Sequence, residues 1–138
     1  RCLNGRAEAM PLPSACADVI TMGYALRHIA DLSAAFAEFA RVLKPGGRVL
    51  ILEITRPAGT LANTLLRAYM RGVVPMIAKL VARKPQTAEL WRYYWDTIEA
   101  CAPPQAVLRT LADAGFESAE RHVELGIFSE YRAIRTAL

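Results

Sequence analysis

The sequence predicts an α/β domain: parallel strands, a long helical insertion, and a closing antiparallel hairpin. Three observations lead there. Two short apolar runs, Ala17–Met22 and Val49–Leu52, flank a segment of helical periodicity. Residues 57–102 carry a helical pattern of their own, and two weaker strand patterns follow on either side of Gly126. An unbroken apolar run suits a parallel strand covered on both faces, and strand, helix, strand in close succession makes a βαβ unit.

Ala17–Met22 is rich in β-branched residues and bounded by Pro13, Ser14 and Gly23, which predicts a buried strand. Asp31 can cap the next helix, where Leu32, Ala35, Phe36, Phe39 and Leu43 recur at helical spacing. Lys44-Pro45-Gly46-Gly47 stops it, and Val49 to Leu52 form the second strand. From Pro57 to about Ala102 the apolar positions Leu65, Leu66, Tyr69, Met70, Val73, Val74, Ile77, Leu80 and Val81 lead into the aromatic cluster Trp91, Tyr93, Tyr94 and Trp95. This stretch is expected to form an inserted cap. Pro103 and Pro104 suit a helix start, Val107, Leu108 and Leu111 its inner face, and Gly115 its end. Strands near 119–125 and 130–134, joined at Gly126, predict the hairpin. The expected organisation is one domain, with a core of residues 1–56 and 103–138 and a cap of 57–102.

At 138 residues and 54% hydrophobic, the chain can bury a single core. Its net charge of +4 is spread along the sequence without a nucleic-acid motif, so no nucleic-acid partner is expected. Cys2, Cys16 and Cys101 are odd in number and lack a C-x-x-C pair, which argues against a disulfide framework or a zinc site. No metal is expected, and a reducing cytoplasm is the expected location. Arg71, Pro75 and Lys79 interrupt the greasiest stretch below the roughly 18 apolar residues that cross a bilayer.

Leu43-Lys44-Pro45-Gly46-Gly47-Arg48 before an apolar strand is a junction found in many S-adenosylmethionine-dependent methyltransferases. Upstream stand Asn4-Gly5-Arg6-Ala7-Glu8-Ala9-Met10-Pro11-Leu12-Pro13, Ala17-Asp18-Val19-Ile20 and Leu26-Arg27-His28-Ile29. Downstream follow Leu52-Glu53-Ile54-Thr55-Arg56-Pro57, the Trp91-Arg92-Tyr93 region and Ala114-Gly115-Phe116-Glu117. Together these resemble the ubiquinone/menaquinone-biosynthesis C-methyltransferase (UbiE) family over nearly the whole chain. The resemblance implies the C-terminal part of a Rossmann-like methyltransferase sheet, with S-adenosylmethionine as cofactor. This fold holds its cofactor on a glycine-rich turn with an acidic residue on the ribose. No Gly-x-Gly occurs here, and the chain aligns from the third strand of the family's sheet. The cofactor site is therefore expected to be incomplete, binding S-adenosylmethionine weakly or not at all.

The resemblance places Arg6, Ala7 and Glu8 beside the cofactor's adenine. Arg6 departs from the usual Asp or Asn, since guanidinium only donates where the adenine amino group needs an acceptor; a backbone contact through Ala7, or a surface turn, is left. Gly23 and Tyr24 lie just past a strand's carboxyl end, where open α/β sheets bind ligands. Their alternative is an ordinary turn with a core Tyr. Arg27 and His28 are the candidate catalytic residues. Ring methylation needs a proton acceptor as the phenolate forms and a cation to hold the oxyanion; His28 could serve the first purpose and Arg27 the second. The alternatives are that Arg27 ties the loop to an acidic neighbour and that His28 caps a helix. Glu53 could orient a substrate hydroxyl or pair with Arg27, and Trp91 and Tyr94 could line a pocket for a planar ring or simply pack. His122 reads as a surface residue.

The implied function is methylation of a small aromatic or lipid-linked acceptor, with C-methylation of a quinol as the specific form. Methylation at nitrogen or oxygen is the rival within enzymes. The rival from another class is a truncated, non-catalytic module, whose unpaired strand edges predict a homodimer. The basic, apolar helix with Arg67, Arg71, Lys79 and Arg83 could lie on an anionic membrane or serve as a lid.

Overall fold

The computed structural model describes residues 2–57, 59–77 and 85–137, and the side chains of residues 85–89 and of 91 and 92 lie outside the described set. Lys79, Leu80, Val81 and Arg83 also fall outside the described residues. Four strands form one mixed sheet in the order β1-β2-β4-β3: β1 (Ala17–Gly23), β2 (Leu43–Ile54), β3 (Phe116–Glu124) and β4 (Phe128–Arg135). β1 and β2 run parallel, with Ile20 opposite Val49 and Gly23 opposite Leu52. β4 is antiparallel to both of its neighbours, Glu53 facing Ser129 on one side and Arg121 facing Tyr131 on the other.

Helix α1 (Leu32–Val42) connects the parallel strands. Its cap is Asp31, whose Oδ1 accepts the Ala34 N–H at 3.0 Å. Ala35, Phe36, Phe39 and Val42 return to one face and are buried, each Phe contributing roughly 1.5–3 kcal/mol of apolar burial. At the α1–β2 junction a Cβ on Gly47 would stand 2.8 Å from the Lys44 carbonyl oxygen and 3.1 Å from that of Asp18. Only glycine fits where those backbones approach.

The inserted segment is helical as expected through its described residues. Helix α2 (Thr60–Ala68) runs into a π turn (Tyr69–Val73), closed by the Val74 N–H on the Tyr69 carbonyl, and residues 74–77 are helical again. Pro75, lacking an N–H for the Arg71 carbonyl, stands two residues past the end of that turn. Helix α3 (Pro85–Glu99) lies alongside, joined through Arg67–Glu99 at 3.8 Å and Arg71–Asp96 at 3.5 Å. Helix α4 (Pro104–Asp113) buries Val107 and Leu111, and Gly115, at φ +87°, turns the chain into β3.

Two strand expectations are corrected. β2 was expected to be covered on both faces, yet Val49, Ile51 and Glu53 are buried while Arg48 and Leu52 are exposed. The covered side is the one that packs with α1 and α4. β1 was expected to be buried, but Val19 is 55% exposed. Val19 stands on the sheet face it shares with Arg48, Leu50 and Arg132, which is open to solvent among the described residues, and β1, bonded there only to β2, is one of the two edge strands.

Candidate functional site

Just past the carboxyl ends of β1 and β2, a short 3-10 turn (Leu26–His28) sets Arg27 over the last residues of β2. Glu53 is fully enclosed and faces it. Its Oε1 accepts the Arg27 Nη1 at 2.6 Å and the Ile54 N–H at 2.9 Å, and its Oε2 accepts the Arg27 N–H at 3.2 Å. One carboxylate thus fixes both the backbone and the head group of residue 27. The Arg27 guanidinium carbon stands 4.7 Å from the Tyr94 ring centroid, so α3 covers the pair by a cation–π contact. Arg27 is 6% exposed, and its Nε is buried without a hydrogen-bond partner among the described residues. A buried pair is tolerable only when further hydrogen bonds satisfy the carboxylate, as here. Beneath it lies Cys101, whose thiol is pushed up by burial and then by the Glu53 charge. Burial likewise pushes up the Tyr131 phenol.

Away from this pair, Arg6 and Ala7 line a hollow of about 350 Å³ between the 5–12 segment and β1, with Met10, Leu12, Ile20 and Met22 as apolar walls. A purine-sized ring fits that volume. The Arg6 side chain is exposed and turned toward Glu8, Nε to Oε2 at 3.5 Å, so neither charged group presents an acceptor to the hollow's centre. A Cβ on Gly5 would meet Pro11 Cδ at 2.5 Å, so the turn closes only with glycine there. Helix α1 holds this segment in place. Glu38 Oε1 accepts the Met10 N–H at 2.7 Å and Oε2 accepts the Arg41 Nε at 2.7 Å. Arg41 also donates to the Leu12 carbonyl at 2.8 Å and the Ser14 hydroxyl at 3.1 Å. Arg41 holds the Glu38 carboxyl far below its ordinary range, at about 2. Sequence reasoning missed this clamp; the i, i+3 spacing of Glu38 and Arg41 was visible, but not the loop they grip.

Tyr24 has φ +55°, a strained value for a tyrosine, and its N–H donates to the Leu52 carbonyl at 2.7 Å. A Cβ on Gly23 would meet nothing within 4 Å, so the space beside it is open. His28 is exposed, and its N–H donates to the Ala25 carbonyl at 2.9 Å. It stands on the turn beside Arg27 but outside the Glu53–Tyr94 cluster. The Trp91 side chain lies outside the described residues. A further network also escaped the sequence reading: Arg121 donates to Ser129 at 2.9 Å and to Thr55 at 3.0 Å, and those two hydroxyls are 2.6 Å apart. His122 is exposed and contacts Glu124 at 2.8 Å.

The 350 Å³ hollow has room for a flat ring, while the Arg27 charge is met by Glu53 inside the fold. The size and apolar walls of the hollow fit the adenine end of S-adenosylmethionine. Solved structures share the fold: a SAM-dependent methyltransferase from Aquifex aeolicus (TM-score 0.60, 20% identity, 97% of this chain and 54% of that one), and phosphoethanolamine N-methyltransferase 2 of Haemonchus contortus with S-adenosyl-L-methionine (TM-score 0.62, 13% identity, 95% and 36%). Among curated proteins, the ubiquinone/menaquinone biosynthesis C-methyltransferase UbiE of Francisella tularensis subsp. novicida is 33% identical over 118 residues, 86% of this chain and 46% of that protein. The UbiE of Yersinia pestis is 36% identical over 116 residues, 84% and 45%. The chain thus spans about half the length of the curated relatives it matches. The model of the ubiE/COQ5 methyltransferase family matches residues 1–135. With the mixed sheet and the junction Leu43–Arg48 in place, that match makes this chain a member of the ubiE/COQ5 methyltransferase family.

Proposed function

We propose that the chain forms the acceptor side and part of the cofactor side of an S-adenosylmethionine-dependent methyltransferase acting on a small aromatic or lipid-linked acceptor, with C-methylation of a quinol as the reaction. The observation that carries this is the enclosed Arg27–Glu53 pair under Tyr94, at the end of the sheet where α/β folds bind ligands. S-adenosylmethionine, when bound, supplies an electrophilic methyl group. Arg6, Ala7, Glu8, Gly23 and Tyr24 are the residues proposed to border it. Arg27, oriented by Glu53, holds the oxygen of the acceptor as it becomes anionic. His28, exposed on the same turn, accepts the phenolic proton. Tyr94 and Trp91 flank the acceptor ring, and the segment 57–102 acts as the cap. The proposed location is the cytoplasm.

The test is methyl transfer by residues 1–138 joined to the N-terminal half of the Yersinia relative, offered a prenylated quinol and, separately, a small amine. Transfer to the quinol that falls at least about tenfold in Arg27→Met supports the reading. Transfer to the amine alone sinks ring methylation. A second reading, a non-catalytic module that associates with itself, is favoured by the open edge of β1 and the exposed Val19 and Leu52. On that reading the chain alone is at least a dimer in sedimentation and shows no S-adenosylmethionine binding by calorimetry. A stable monomer, or micromolar cofactor affinity, overturns it.

A further inference from the structure

Residues 5–12 form one wall of the 350 Å³ hollow, and they are held in place from a distance. Inside the segment the Ala9 N–H donates to the Arg6 carbonyl at 3.2 Å and the Leu12 N–H to that of Met10 at 2.7 Å. Among the described residues, every hydrogen bond that leaves residues 5–14 for another part of the chain ends on Glu38 or Arg41. One nitrogen, Arg41 Nη2, reaches the Leu12 carbonyl at 2.8 Å, the Met10 carbonyl at 3.3 Å and Glu38 Oε1 at 2.7 Å. Neither side chain lines the hollow, but Phe39, between them on α1, does. The helix that supplies one lining residue thus also fixes where Met10 and Leu12 stand. Apolar contact of Ala7 and Met10 with the core adds to the hold without giving it a direction, whereas the hydrogen bonds do. An i, i+3 ion pair with its Arg 36% exposed adds little stability by itself. What sets this one apart is its grip on the loop.

We infer that Glu38 and Arg41 are positioning residues for the cofactor: they keep Met10 and Leu12 at the separation from β1 that a flat purine ring fills, without touching the ring. The inference rests on the reading of this hollow as the seat of the adenine end. Guanidinium is required at position 41, because one planar fork spans the Glu38 carboxylate, the loop carbonyls and the Ser14 hydroxyl, which a compact ammonium cannot. Small displacements matter here. Opening the wall by about 0.5–1 Å forfeits a quarter to a half of each dispersion contact with a bound ring.

The chain's four methionines supply the readout, since Met10 and Met22 line the hollow while Met70 and Met76 stand on the helical segment after β2. Methyl spectra of the 138-residue chain with isotope-labelled methionine, titrated with adenosine, are expected to show binding on the order of millimolar that moves the Met10 and Met22 signals and leaves the other two in place. In Arg41→Lys and in Glu38→Gln the affinity falls about fivefold or more. Unmoved Met70 and Met76 signals and an unchanged circular dichroism spectrum establish that the variants fold. The swap Glu38→Arg/Arg41→Glu restores an ion pair but exchanges donor for acceptor at both ends of the grip, so its affinity stays low. Unchanged affinity in the single variants, or recovery in the swap, overturns the inference and leaves the hollow as a ring site. No movement of Met10 and Met22 in the wild type removes both the inference and the adenine reading. Neither result bears on the quinol acceptor, which the methyl-transfer test decides.

Discussion

Removing either partner of the Arg27–Glu53 pair should destabilise the chain, but unequally. In Glu53→Leu, a guanidinium 6% exposed loses its anion, and the Arg27 and Ile54 N–H groups lose the acceptor they reach at 3.2 and 2.9 Å. An uncompensated buried charge of this kind costs about 3–5 kcal/mol. In Arg27→Met the carboxylate keeps both backbone donors and the stem of residue 27 is replaced by a similar volume, so the loss is smaller, about 2–3 kcal/mol. In the double variant neither charge is stranded, and the total falls short of the sum by about 2 kcal/mol. Urea denaturation followed by circular dichroism, at neutral pH and fixed ionic strength, measures all four corners of the cycle. A Glu53→Leu loss below about 1 kcal/mol, or strict additivity, would refute the claim that the pair is desolvated and mutually dependent.

Glu38 gives a pH prediction with a definite sign: its carboxyl is lowered from 4.5 to about 2, chiefly by its hydrogen bonds with Arg41. A depressed folded-state value contributes stability that is complete above about pH 4.5 and is lost as pH falls toward 2. Glu38→Gln should flatten that acid limb, read as the midpoint of urea unfolding against pH; an unchanged limb would contradict the clamp. Gly47→Ala should cost about 1–3 kcal/mol, because the new Cβ meets two backbone carbonyls that cannot move independently; stability equal to wild type would show that the junction is more open than described. Of the three thiols, Cys2 and Cys16 are exposed and should react at once with an aromatic disulfide reagent. Cys101 is buried with a raised pKa and should lag by about two orders of magnitude. Three equal rates would mean that the region under Glu53 opens readily.

What was legible in the sequence was what short-range physics specifies. Asp31 declared a cap, Phe36 and Phe39 a face, and Gly126 a hairpin. The resemblance drew attention to Arg27, and pairing with it was one of the two roles weighed for Glu53. What was not legible depends on contacts distant in sequence. The exposure of Val19 follows from which face of the sheet is left open, which no local pattern encodes. The grip of Glu38 and Arg41 on residues 10–14 spans 28 residues or so, and either side chain alone reads as a solvated helix residue. The cluster of Arg121, Thr55 and Ser129 arises only once β4 has entered between β2 and β3. The aromatic run at 91–95 could not be resolved by pattern into Tyr94, over Arg27, and Trp95, enclosed in the core.

The strand order has a bearing on biosynthesis. β4 is the last of the four strands to be translated, yet it occupies an interior position, with β2 on one side and β3 on the other. Until the ribosome has moved beyond residue 135, the inner flank of β2 lacks its neighbour, and the pairing of the two halves is long-range and slow to nucleate. A nascent chain stalled in the α3–α4 region would display an unfinished sheet, the inner flank of β2 open to pairing with other chains until the final hairpin is made.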